Sequence, residues 1–243
     1  MSKTKKWKRI ALISLLGLIS IVVIALIYLK SVTYTPTTEA LNAAKQATYK
    51  GNTLVFKGNP KKVSVIFYQG AFVDNASYSI WANKVAEAGF TVYLTKQPLN
   101  LAVLGGNKAQ TIIDSEKLSS YVIGGHSLGG VMASRFAAEN QESSALKGVF
   151  FLASYPDEKG SLKEFGGSVL SIVGSKDGVL NWAAFDKSKQ YLPTQTNFQT
   201  IQGGNHAGFG SYGDQKGDQK AKITNQEQQD EVVKILIEWL QKI

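Results

Sequence analysis

Tyr121-Val122-Ile123-Gly124-Gly125-His126-Ser127-Leu128-Gly129-Gly130 sets an apolar run directly against a serine bracketed by glycines. Tyr121–Gly124 reads as a buried strand, and Val131–Glu139, which follows, reads as a helix. Between them, Gly125-x-Ser127-x-Gly129 matches the nucleophile-elbow pattern. A serine on so tight a strand-to-helix turn is held at strained backbone angles, and its neighbours two residues away can carry almost no side chain. Such a turn presents the hydroxyl at the carboxyl edge of a sheet, beside the positive end of the following helix. Ser127 is the candidate nucleophile.

Strands and helices alternate on either side of this turn. Leu54–Phe56, Val63–Tyr68, Phe90–Leu94, Val149–Ala153, Val169–Val173 and Phe198–Ile201 read as strands, most of them apolar throughout, as strands buried on both faces are. Ser77–Ala88, residues 107–117, Asn181–Tyr191 and Gln226–Lys242 read as helices, the last with Val232, Val233, Leu236 and Leu240 on one face. Repeated strand-then-helix order predicts an α/β domain: a mostly parallel sheet with helices on both faces. The stretch between Ser127 and the strand ending at Val173 has room for a helix, a strand and a loop, and for no large cap domain.

A serine nucleophile needs a base, and the chain holds two histidines. His126 lies inside the elbow with its side chain directed away from the hydroxyl, and reads as structural. His206, in Gly203-Gly204-Asn205-His206-Ala207-Gly208, falls between the last strand and the last helix and is the candidate base. The carboxylate that orients it should follow a strand end between the two. Asp177, flanked by Gly174 and Gly178, fits best; Asp157 is the competing choice and Asp186, on a helix, the weaker one. Two backbone donors should face the developing oxyanion. These are the amide of Leu128 and that of Ala71, in the turn Gln69-Gly70-Ala71-Phe72. Tyr155, Trp182 and Phe209 are candidate pocket-lining residues. Asp214 and Asp218 lack the ligand spacing of a calcium loop, so neither a metal nor a cofactor is expected.

Composition narrows the remaining choices. There is no cysteine, which excludes disulfides and a thiolate nucleophile. The formal charge of +9 suggests nucleic acid until it is located. Lys3, Lys5, Lys6, Lys8, Arg9 and Lys30 supply six of the 27 basic residues, and the rest nearly balances the 18 acidic ones. No basic stripe remains for tracking phosphates. Between those lysines, Ile10–Leu29 is a run of 20 residues without a charge, long enough as a helix to cross the ~30 Å of a bilayer's hydrocarbon core. It exceeds the usual apolar stretch of a cleaved signal, and Tyr28-Leu29-Lys30-Ser31-Val32 offers no small-x-small site. The expected layout is a basic cytoplasmic tail over residues 1–9, a transmembrane anchor over 10–29, a polar tether over 30–38 and an extracellular domain over 39–243, in a single-pass cell-membrane protein.

Gly-His-Ser-Leu-Gly-Gly at 125–130, Tyr68-Gln69-Gly70-Ala71, Pro98-Leu99-Asn100-Leu101-Ala102 and Gly-Gly-Asn-His-Ala-Gly-Phe-Gly at 203–210 together resemble an α/β-hydrolase family. It is the bacterial group described as similar to dienelactone hydrolases (carboxymethylenebutenolidases), and the resemblance spans roughly residues 40–243. It implies the α/β-hydrolase fold, a triad of Ser127, Asp177 and His206, and oxyanion donors at Ala71 and Leu128. Dienelactone hydrolases use a cysteine nucleophile where this chain has Ser127, which favours a general carboxylic ester hydrolase over a dienelactone-specific one. A small-molecule or envelope-derived ester is the expected substrate. Thioester, amide or envelope acyl groups, or a tethered binding role without turnover, are the alternatives.

Overall fold

The computed structural model describes residues 3–243. They fall into two units that divide between Thr33 and Tyr34. The first is the helix α1 (Lys3–Ser31). Its segment Ile10–Ser31 has a mean hydropathy of 3.1 and is nowhere buried, so it is long and apolar enough to cross a membrane.

The second unit runs α2 (Thr38–Ala44), β1 (Thr48–Lys50), β2 (Thr53–Phe56), β3 (Ser64–Tyr68), α3 (Ser79–Glu87), β4 (Val92–Leu94), α4 (Lys108–Glu116), β5 (Tyr121–His126), α5 (Leu128–Glu139), β6 (Leu146–Leu152), β7 (Ser168–Gly174), α6 (Trp182–Ser188), β8 (Asn197–Ile201) and α7 (Asn225–Leu240). The strands form one eight-stranded sheet in the order β1-β2-β4-β3-β5-β6-β7-β8. The first two pairings, β1 with β2 and β2 with β4, are antiparallel, and every later one is parallel.

Alternation along the strands feeds two apolar layers. Val65, Phe67, Val122, Phe150, Leu152 and Leu170 join Trp81 and Val85 of α3 and Val232, Leu236 and Trp239 of α7 on one face. Ile66, Tyr68, Ile123, Val149, Phe151 and Val169 meet Ala109 and Ile112 of α4 and Ala133 and Phe136 of α5 on the other. Successive side chains of a strand point to opposite faces, so burial of both faces requires the continuous apolar runs seen in the sequence. Fully burying each large side chain contributes roughly 1.5–3 kcal/mol, and these two layers hold the sheet's carboxyl edge rigid.

Three boundaries differ from the sequence reading. The compact unit begins at Tyr34, not at Glu39. Tyr34 pairs with Val73, and Thr37 caps α2 through its side chain, so half of the expected tether belongs to the folded body. The helix expected over Ser77–Ala88 opens with a 3-10 turn, Asn75–Tyr78, because Asp74 caps that turn first. On α7, Trp239 is buried and Val233 only partly so, and the buried face continues through Gln228 and Gln229.

Two glycines set how closely α5 approaches the sheet. A Cβ on Gly125 would lie 2.4 Å from the carbonyl carbon of Gly129, and a Cβ on Gly129 would lie 2.3 Å from the Tyr68 carbonyl oxygen. Both contacts are with backbone, which cannot rotate away. Gly129→Ala should therefore destabilise the domain by about 1–3 kcal/mol. Gly166→Ala, where nothing lies within 4 Å, should be close to neutral. Equal urea midpoints for the two variants would show that the approach is not constrained.

Candidate active site

The elbow forms as the glycines demand. Ser127 sits at φ 51, ψ −125, a region that a side chain adopts only under constraint. Its amide donates to the Leu152 carbonyl at 3.0 Å, and its carbonyl accepts from Ser154 Oγ at 2.6 Å and from the Gly130 amide at 3.0 Å. Three bonds thus fix the strained residue while its side chain stays partly exposed.

His206 follows β8, and Asp177 follows β7. The imidazole Nδ1 lies 2.8 Å from Asp177 Oδ2, with both side chains buried. Asp177 Oδ1 accepts from the amides of Val179 at 2.9 Å and Leu180 at 2.7 Å. With that oxygen occupied, the carboxylate is held to take the Nδ1 proton, which leaves the lone pair on Nε2. Nε2 of His206 is buried and has no hydrogen-bond partner among the described residues, and Ser127 Oγ makes no hydrogen bond either. The His206 ring lies 4.6 Å, centroid to centroid, from that of His126, the residue directly before Ser127. Bonds between a nucleophile and its base often tighten only once substrate is present.

The other two carboxylates are engaged elsewhere. Asp157 pairs with Arg135, whose hydrogen bonds lower its pKa, and caps the Gly160 amide. Asp186 pairs with Lys189 at 2.8 Å.

The amides of Ala71 and Leu128 make no hydrogen bond among the described residues. Leu128 opens α5, where helical amides lack partners. The close approach of Gly129 to the carbonyls of Tyr68 and Gln69 keeps the Ala71 turn beside the elbow. Phe72 in that turn has φ 58, and its amide donates to the Asn100 carbonyl at 2.8 Å.

The aromatic residues part company. Trp182 is 40% exposed and donates its indole N–H to the Asp177 carbonyl at 3.1 Å. Tyr155 is half-buried and packs near Phe185, with ring centroids 6.4 Å apart. Phe209 was expected to line a pocket but is fully buried, 6.0 Å from the His126 ring, and braces the histidine loop from within.

Three polar residues have bracing roles that the sequence does not announce. Asp218 accepts from the Gly178 amide through Oδ1 and from the Ala207 amide through Oδ2, both at 2.9 Å, so one carboxylate ties the neighbour of Asp177 to the neighbour of His206. Gln228 accepts from the Asn205 amide at 3.0 Å and donates to the Asn205 carbonyl at 2.8 Å, and Gln229 donates to the Gly208 carbonyl at 2.7 Å. Two glutamines within the buried stripe of α7 were the available signal.

A profile of the alpha/beta hydrolase family matches residues 64–230, and the chain belongs to that family. No curated protein matches it in sequence. Among solved structures it is similar to a monoacylglycerol lipase from Paleococcus ferrophilus, with 14% identity, a TM-score of 0.60, and 77% of this chain and 97% of that one covered. A thermophilic esterase from Thermogutta terrifontis gives 13% identity and a TM-score of 0.57, over 81% of this chain and 97% of the other. One of the Nitrososphaera gargenis carboxylesterases gives 13% and 0.53, over 79% and 96%. At these identities the likeness is one of fold.

His126 brings a pH dependence of stability. The Gly70 amide donates to Tyr78 Oη at 3.0 Å, so the tyrosine proton is directed to His126 Nδ1, 2.9 Å away. Burial, then the neighbouring His206, push the His126 pKa well below its usual value. The folded protein thus holds this ring neutral, whereas the unfolded chain protonates it near pH 6.5. Stability from this group is complete above that pH and falls below it, by up to about 1.4 kcal/mol per pH unit. Unfolding midpoints between pH 7.5 and 5 should fall less steeply for His126→Gln than for the parent. Parallel slopes would refute the assignment.

Proposed function

We propose that the protein is a membrane-anchored serine hydrolase that cleaves carboxylic esters through an acyl-enzyme. The observation that carries this reading is the buried 2.8 Å contact between His206 and Asp177, which leaves Nε2 unpartnered, with the His206 ring 4.6 Å from that of His126, the residue before a serine in the elbow conformation. Structures of proteins named as esterases and as a lipase share the fold, which supports the reaction class.

Ser127 Oγ attacks the ester carbonyl while His206 Nε2 takes its proton. The carbonyl oxygen becomes an oxyanion and is met by the amides of Ala71 and Leu128. Asp177 stabilises the imidazolium that has formed. Collapse breaks the C–O bond, and the leaving alcohol takes the proton from Nε2. Water, deprotonated by Nε2, then attacks the acyl-serine and releases the carboxylic acid, restoring the hydroxyl. Serine at position 127 favours a general ester over the dienelactone specificity of the subgroup that the sequence resembles.

The apolar helix over Ile10–Ser31 supports anchoring, and the basic residues before it favour an extracellular hydrolase domain. Ser127→Ala should lower turnover of short-chain p-nitrophenyl esters by at least about 10³-fold and remove labelling by a fluorophosphonate. Labelling that survives the substitution would place the nucleophile elsewhere.

A further inference from the structure

The segment that follows the apolar helix is built into the rim of the candidate active site. Tyr34 donates its amide to the Phe72 carbonyl at 2.7 Å and accepts at its own carbonyl from the Asp74 amide at 3.0 Å, adding a short parallel bridge beside the Ala71 turn. The Tyr34 ring lies 5.4 Å from Tyr212, and the Thr37 amide donates to the Ser211 carbonyl at 2.9 Å. One stretch of four residues is thus bonded both to the oxyanion turn and to the loop that follows His206.

The next rung carries an apolar loop. Phe72 donates to the Asn100 carbonyl, so Asn100 lies two backbone crossings from Tyr34, roughly 10 Å at the usual interstrand spacing. The loop Pro98–Leu104 is firmly held: Gln69 Nε2 donates to Asn100 Oδ1 at 2.8 Å, and Ala102 is buried. Leu99, Val103 and Leu104 on it are nevertheless 51%, 50% and 53% exposed. Of the eight large apolar side chains exposed from Tyr34 onward, these three share one loop. An ordered loop that holds three aliphatic side chains in water points to an apolar partner.

Chain length names that partner. Only Val32 and Thr33 separate Ser31, where α1 ends, from Tyr34, and whatever direction the helix takes the three Cα steps between them reach at most about 11 Å. The headgroup layer of a bilayer is roughly 6 Å deep on each side. We infer that the Leu99–Val103–Leu104 loop rests in the surface of the bilayer that holds the anchor, and that the substrate is an acyl ester of a membrane lipid, presented from that surface to Ser127. This rests on the ester hydrolase and anchor readings above, and it adds the substrate class. The tether then acts as a positioning device: it holds the mouth of the site at the height where the ester of a lipid lies.

The test uses the full-length chain in phosphatidylcholine–phosphatidylglycerol vesicles, with two substrates assayed in parallel. One is a water-soluble p-nitrophenyl butyrate; the other is a fluorogenic long-chain acyl ester lipid embedded in the same vesicles. A 20-residue Gly-Ser spacer inserted between Val32 and Thr33 should leave the soluble rate unchanged. It should lower the bilayer rate at least about tenfold, since local concentration falls as the −3/2 power of tether length. Leu99→Asp with Leu104→Asp should lower the ratio of bilayer to soluble rate by a similar factor without altering the anchor. Soluble turnover with a bilayer rate that is absent, or unmoved by either change, overturns the inference and leaves the esterase reading standing. Turnover of neither substrate by the parent protein removes both.

Discussion

The approach of α5 to the end of β3 is the contact from which the rest of the site follows. With no side chain at Gly129, the first turn of the helix lies directly against the carbonyls of Tyr68 and Gln69. That places the start of α5 beside the turn that carries Ala71, and so brings together two distant parts of the chain. Gly125 allows the same approach from the strand side, against the backbone of Gly129. A side chain at either position would meet backbone at 2.3–2.4 Å and push the helix outward. The elbow is therefore a packing constraint first, and its chemistry is a consequence.

The histidine side of the site is built on different physics. β8 is largely exposed and ends in a glycine-rich loop, so apolar burial cannot hold His206 in place. Polar groups do. Asp177 is saturated by two amides and the imidazole; Asp218 joins the two loops; Gln228 and Gln229 brace the loop from α7. A buried carboxylate left without partners would cost several kcal/mol, so each of these bonds is needed for the others to be tolerable. Loss of one would loosen His206 without disturbing the core.

Such differences explain what was legible in the chain. The parallel sheet was readable because strands buried on both faces must be apolar throughout, and the elbow because only glycine meets its steric demand. The contact between His206 and Asp177 was foreseeable from chain order, with few competing residues of the right type. The bracing network was not, because Asp218 lies in a polar, glycine-rich loop whose composition looks like ordinary solvated chain. Phe209 misled for the converse reason: its place beside the base says nothing of which way the ring turns. The start of the domain was placed five residues late because Tyr34–Thr37 reads as polar linker, and only the isolated bridge to Val73 and the bond to Ser211 give it structure.

Strain is distributed in a way that supports this division. Of the six non-glycine residues with positive φ among those described, Phe72, Leu99, Asn100, Ser127 and Ala153 all follow the carboxyl ends of β3, β4, β5 and β6. Each such residue costs about 1–3 kcal/mol, against a net stability of roughly 5–15 kcal/mol for a whole domain. They persist because neighbouring strands bind them: Phe72 to Asn100, Ser127 to Leu152, Ala153 to Ile172. Those bonds link β3's turn to β4's loop, β5 to β6 and β6 to β7, so each of these three strained residues is tied to the neighbouring strand or loop along a single edge. Relaxing any of the three would require breaking that bond. An edge held in that manner presents Ser127 and the neighbouring amides in one fixed arrangement, which is what the proposed stabilisation of a developing charge requires, because donors already in place need not reorganise as the reaction proceeds.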